Sequence, residues 1–138
     1  VHAYHVGRGH TNGDAVIHFP DLQTLHTGDL FVAGTPFIDY ANGGSSIEWL
    51  KTLDNILELD FETVIPGHGG LMTKDDVREF RRKFETLQDR GRELISGGVM
   101  KDQFGSRLNG DDLGWPIEGS LFGRRSLLNF YDELAGNR

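Results

Sequence analysis

Two histidines and one aspartate are the residues of this 138-residue chain whose types and settings point to chemistry. His10 lies in Gly9-His10-Thr11-Asn12-Gly13-Asp14, Asp29 in His26-Thr27-Gly28-Asp29-Leu30-Phe31, and His68 in Ile65-Pro66-Gly67-His68-Gly69. Each donor is flanked by glycine and follows or adjoins a β-rich run, so rigid strands aim it from a loop whose backbone can approach closely. Two imidazoles and a carboxylate suit zinc, and iron or manganese fit the same donor types. With no cysteine in the chain, any metal is held by nitrogen and oxygen, and neither disulfides nor thiolate sites are available.

The neighbours of these donors divide into supporting and structural groups. Thr11, Asn12 and Asp14 read as loop-setting and outer-sphere groups, because a metal-bound imidazole needs its second ring nitrogen hydrogen-bonded to fix its tautomer. His26, three residues before Asp29, either orients that carboxylate or packs on the sheet. His18 falls mid-strand and reads as structural. His2 and His5 are alternative donors, but their spacing places them on opposite faces of a strand. Asp39 and Tyr40 fall in the loop after Asp29, where they face either substrate or solvent.

The elements that must carry these residues follow from periodicity. Residues 1–6 and 14–19 read as strands, Pro20-Asp21 as a turn, and residues 23–27 as the return strand of a hairpin. Ser45-Ser46 with Glu48 marks a helix start, and Ile47, Leu50, Leu53, Ile56 and Leu57 continue at helical spacing to about residue 59. Residues 61–65 form a strand that ends at Pro66 and delivers His68. A second helix opens at Thr73, with Asp75 and Asp76 set favourably in its first turn, and runs to near Ile95. A short helix is expected over 101–108, a turn at 109–112, and a last helix over 120–134. The β-α-β order predicts helices layered on a sheet, in a single domain 1–138: sheet and donor loops in 1–70, helical region in 71–138.

Composition narrows the classes. With 37% apolar and 25% charged residues and no apolar run near the roughly 18 needed to span a bilayer, no membrane anchor is expected. The net charge of −7 argues against a nucleic-acid partner, which demands a basic face. The opening Val1-His2-Ala3-Tyr4-His5 has neither a basic nor an apolar leader region, and the compartment stays open.

The order GHTNGD, then HTGDLF, then VIPGHG resembles the C-terminal half of a metallo-β-lactamase-fold hydrolase. The likeness covers residues 1 to about 70, and the helical tail is of a kind such proteins carry. It implies an α/β fold, half of an αββα sandwich, with one mixed sheet layered with helices. It also implies that His10 serves a first metal, that His68 serves a second and that Asp29 bridges them. Hydrolysis in the family is metal-assisted, on small-molecule substrates that include β-lactams, thioesters, lactones and phosphodiesters. The chain lacks a G-x-S-x-G elbow, in keeping with a mechanism that needs no side-chain nucleophile.

One departure is informative. The family's H-x-H-x-D-H motif, which supplies the remaining ligands from the first half, is absent. Three readings follow: a hydrolase half completed by a missing N-terminal half, a homodimer that rebuilds the sandwich with two-fold symmetry, and a non-catalytic or weakly active metal-binding half-fold that homodimerises. In the homodimer, His10, Asp29 and His68 would together make a two-histidine, one-carboxylate site.

Overall fold

The computed structural model describes residues 1–137. Its five strands form one mixed sheet in sequential order: β1 (His2–Tyr4), β2 (Val16–Phe19), β3 (Thr24–Gly28), β4 (Thr63–Pro66) and β5 (Met72–Thr73). β1, β2 and β3 are joined antiparallel, β3 and β4 run parallel, and β5 returns antiparallel to β4. Parallel neighbours require a crossover, and helix α1 (Ser46–Leu57) provides it between β3 and β4. Helices α2 (Lys74–Ser96), α3 (Lys101–Arg107) and α4 (Leu127–Leu134) follow. The sheet and its helices have the α/β layering expected of half an αββα sandwich.

Local chemistry explains where the helices start. The Ser45 hydroxyl accepts from Glu48 N at 3.2 Å and caps α1. Thr73 and Asp76 exchange hydrogen bonds across the first turn of α2, a reciprocal capping box that satisfies two otherwise orphaned donors. The strands are shorter than alternation suggested. The last helix is also not one continuous α-helix, because Phe122–Ser126 forms a π-helical turn before α4. Gly123 permits that distortion: a Cβ there would stand 2.0 Å from the Ile117 carbonyl oxygen.

The helices bury one face of the sheet. Val16, Leu25 and Val64 are fully buried there with Trp49, Leu53 and Ile56 of α1 and Phe84 and Leu87 of α2. Phe104, Phe122 and Phe130 extend the same cluster into the C-terminal region. Ring contacts run continuously, from Phe31 to Phe80 at 5.2 Å and from Phe80 to Trp115 at 5.2 Å, with Trp49 against Phe84 at 5.1 Å. Arg81 clamps Asp54 through two guanidinium bonds and ties α2 to α1. Arg90 does the same to Asp112, and its hydrogen bonds hold that exposed carboxyl below its ordinary pKa. Leu53→Ala would empty the centre of this cluster; a loss of about 2–5 kcal/mol in urea unfolding is expected.

The opposite face of the sheet is only half-covered. Ala3, Ile17, His26 and Ile65 lie side by side across four strands, with Phe19, Thr24 and Thr63 in the adjoining rows. Ile17, Phe19 and Ile65 are part-exposed and stand apart from the apolar cluster under the helices. Among the described residues no helix is long and apolar enough to cross a membrane.

Candidate metal centre

Topology brings the three donor loops to one edge of the sheet. β3 and β4 are parallel, so the residues just after them, Asp29 and Gly67-His68, emerge at the same end. β2 runs antiparallel to β3, so the loop entering β2, which carries His10, opens at that end as well. The β3–β4 register shifts between His26 and Gly28, an irregularity that re-aims the chain immediately before Asp29. Gly28 then turns in the left-handed region at φ 54°, a conformation that costs glycine little.

Asp29 stands between the two histidines. His10 Nε2 is 3.4 Å from its Oδ2, and His68 Nε2 is 3.2 Å from its Oδ1. Both separations are at or beyond the long end of the hydrogen-bond range. They match the edge of a tetrahedron around zinc, about 3.3 Å for ligand bonds of about 2.0–2.1 Å. Each carboxylate oxygen is therefore paired with one imidazole at the spacing of two ligands on one ion. The arrangement is two pairs of donors, one imidazole and one carboxylate oxygen in each half-site of the candidate centre. Accordingly, among the described residues no group of three or more His, Cys, Asp or Glu side chains is set to hold a metal ion by itself. The donor set fits zinc chemically but leaves each half-site short of the four ligands zinc takes.

Tautomer and approach are fixed by backbone. His10 Nδ1 is 2.7 Å from the Phe37 carbonyl oxygen, which can only accept, so Nδ1 carries a proton and Nε2 is the nitrogen that faces Asp29. The His10 side chain is 15% exposed and packs near Phe37 and Trp49, whereas that of His68 is 75% exposed. The His10 half of the candidate centre is thus enclosed and the His68 half open. Asp29 can lie between them because of Gly67, where a Cβ would fall 2.2 Å from Asp29 Oδ1.

The other sequence candidates occupy different roles. Asp14 accepts from Thr11 N at 3.0 Å and from the Thr11 hydroxyl at 2.7 Å, closing the His10 loop on itself. The partner of the His10 ring is Phe37, not Thr11, Asn12 or Asp14. His26 Nδ1 accepts from Gly28 N at 3.1 Å and so shapes the turn before Asp29. His18 is buried, with Nε2 donating to the Asp60 carbonyl at 2.7 Å. His5 donates from Nδ1 to the Asp14 carbonyl, and His2 stacks on Tyr4 along an exposed strand. Tyr40 turns inward, and its hydroxyl donates to Glu133 at 2.9 Å.

A cavity of about 260 Å³ opens over the donors. Its far wall is apolar, made by Val32, Phe37 and Leu121, and Arg125 lies across the Phe37 ring at 5.6 Å. A larger cleft of about 480 Å³ between Arg90, Glu93 and Arg107 contains no imidazole, so its size carries no chemical argument.

Residues 2–68 match the family model of the Metallo-beta-lactamase superfamily. The chain is a metallo-β-lactamase-fold protein. It is similar to TMB-1, from a structural study of residues 119 and 228 in substrate and inhibitor binding, at 21% identity and a TM-score of 0.53. That likeness covers 61% of this chain and 40% of TMB-1. It is similar to the metallo-β-lactamase DIM-1 exposed to ceftazidime at 23% identity and a TM-score of 0.52, over 61% of this chain and 40% of that one. For the mono-zinc form of the metallo-β-lactamase FIM-1 from Pseudomonas aeruginosa the values are 17% and 0.53, over 61% and 38%. This metallo-β-lactamase-fold chain therefore spans about 40% of the length of the solved structures it matches. No curated protein matches it.

Several groups that shape the centre escape sequence reading. Phe37 contributes a carbonyl, which any residue carries. Leu121 reaches the cavity from far along the chain, and Ser126 and Glu133 act across more than 80 residues of sequence. The adjacent Gly43-Gly44 was the one available signal: a Cβ on Gly44 would stand 2.4 Å from the His10 carbonyl oxygen.

Proposed function

We propose that this chain supplies the C-terminal half of a metal-dependent hydrolase centre, completed by a second β-sheet layer that brings the remaining ligands. The observation that carries this reading is the division of Asp29 between His10 and His68. On it, His10 and Asp29 would hold one ion, and His68 and Asp29 the other. Zinc is the leading metal, with iron or manganese as alternatives. When bound, such metals acidify water to near-neutral pKa and polarise the bond under attack. The chain's own part is to orient the inner imidazole through Phe37, to divide one carboxylate between two positions, and to offer an apolar wall for a small-molecule substrate. The half-covered sheet face bearing Ile17, Phe19, His26 and Ile65 is the surface on which the second layer packs.

Native mass spectrometry with zinc tests the reading, on the chain alone and mixed with a separately expressed first-half segment bearing H-x-H-x-D-H. A one-to-one complex carrying two zinc ions and hydrolysing a member of a panel of β-lactam, thioester, lactone and phosphodiester is the expected result. A dimer of this chain alone that binds zinc would favour the homodimeric reading, and its activity on the panel would separate a catalyst from a metal-binding module. Absence of zinc from every species would overturn both.

A further inference from the structure

The C-terminal helix reaches the metal centre through two contacts far apart in sequence from it. Ser126, fully buried, accepts from Ile38 N at 3.1 Å and donates to Ile38 O at 3.0 Å, pinning both backbone groups of one residue. Ile38 directly follows Phe37, whose carbonyl holds His10 Nδ1 at 2.7 Å. Seven residues further on, the Glu133 carboxylate accepts from the Tyr40 hydroxyl at 2.9 Å, from Ser46 N at 2.9 Å, from the Ser45 hydroxyl at 2.6 Å and from the Ser46 hydroxyl. The loop thus anchored grips the His10 segment in turn: Ser45 N donates to Gly9 O and Asp39 N to His10 O, each at 2.9 Å.

We propose that Ser126 and Glu133 are positioning residues of the metal centre, holding the loop of residues 37–46 so that it fixes the orientation and tautomer of the His10 ring. The proposal rests on the reading of His10 as a metal ligand. Glu133 is suited to the task by charge as well as reach. All four of its partners present donors, and it sits at the N-terminus of α1, where an anion is favoured by the helix dipole. A glutamine keeps a carbonyl oxygen towards Ser46 N only by turning its amide NH2 to the Ser45 hydroxyl, which must then stop donating and which already accepts from Glu48 N. Ser126 acts differently, by removing freedom from the peptide next to the carbonyl that His10 uses.

The test is a residue-resolved measurement of histidine tautomers by long-range proton–nitrogen correlation on the full metal-free chain, at alkaline pH where imidazoles are neutral. A cobalt(II) titration of the chain mixed with the first-half segment, read by visible absorption, accompanies it. His10 should carry its proton on Nδ1 and His18, which donates to Asp60 from Nε2, the opposite tautomer. In Ser126→Ala and Glu133→Gln, His10 is expected to become a mixture while His18 is unchanged, and cobalt affinity to fall about 10–100-fold, the range for outer-sphere partners of a ligand. An unchanged His10 tautomer in both variants overturns the proposal. So does a joint change of His10 and His18, which reports general loosening of the fold. If the wild-type chain takes up no cobalt even when mixed with the first-half segment, the ligand reading of His10 fails, and the tautomer result still decides whether the helix positions the ring.

Discussion

Asp29→Ala is expected to remove metal from both positions at once, whereas His10→Ala and His68→Ala each remove it from one. The asymmetry follows from the two carboxylate oxygens, Oδ2 facing His10 and Oδ1 facing His68. Alanine leaves this chain one neutral imidazole at each position, too few to complete four-coordinate zinc beside the ligands of the second layer. A loss of more than about 100-fold in affinity at each position is expected, above the range for outer-sphere partners. Asp29→Asn sharpens the test because its shape is nearly conserved. One half-site would keep a carbonyl oxygen and the other would face an amide NH2, which cannot ligate, so one ion should be lost and the other weakened. On the complex with the first-half segment, isothermal titration with zinc and metal analysis after dialysis read these outcomes; full retention of two ions in Asp29→Ala would sink the bridging role.

The histidine variants also differ in stability, and burial decides how. His10→Ala strands the Phe37 carbonyl in a part-buried site, at a cost of about 1–3 kcal/mol. His68 is largely exposed, so its removal should change stability by no more than about 0.5 kcal/mol. A metal-free chain with an undisturbed fold is therefore obtained more cleanly at His68 than at His10.

What the sequence made legible was governed by local rules. Ser45 and Thr73 declare helix starts because a hydroxyl three residues from a free backbone N–H satisfies it, and both do so here. The apolar spacing after each foretells the buried faces of α1 and α2. His10, Asp29 and His68 are marked by glycines that strand–loop geometry demands. What stayed hidden was short or distant. β5 has two residues, too few for alternation to register; it pairs with Thr63 and Val64 of β4, and Lys74 N donates to Glu62 O beside it. Within the π-helical turn at Phe122–Ser126 the Ile117 carbonyl lies where a Cβ of Gly123 would stand, a contact no period announces. Tyr40 looked available to substrate because it sits in a loop; Glu133, 93 residues away, turns it inward. The setting of Asp29 between His10 and His68, by contrast, is what the resemblance implied, whereas spacing alone allowed a three-donor cluster equally well.

Gly67→Ala is expected to disable the centre nearly as completely as loss of Asp29, without touching a donor atom. Gly67 N donates to Phe31 O at 2.9 Å, which fixes the loop after β4 against the loop after β3. A Cβ built on Gly67 stands 2.2 Å from Asp29 Oδ1 and 2.7 Å from both the carbonyl carbon and oxygen of Gly28. The first contact could be relieved by rotating the carboxylate away, which breaks its spacing to His68 and, through the shared carboxyl group, to His10. The second involves backbone and yields only if the ends of β3 and β4 part, which also separates Asp29 from His68. Either relaxation spoils both half-sites. Gly67 is not held at positive φ, so alanine is not excluded by its own backbone conformation and the effect isolates the collision. Overpacking of this kind costs about 1–3 kcal/mol. The variant should therefore remain folded by circular dichroism while zinc uptake falls at both positions. Gly70→Ala, whose Cβ meets nothing within 4 Å, is the matched control and should bind as the parent does. Equal zinc binding by the two variants would mean that Asp29 need not lie where it does, and the paired half-site reading would fall with it.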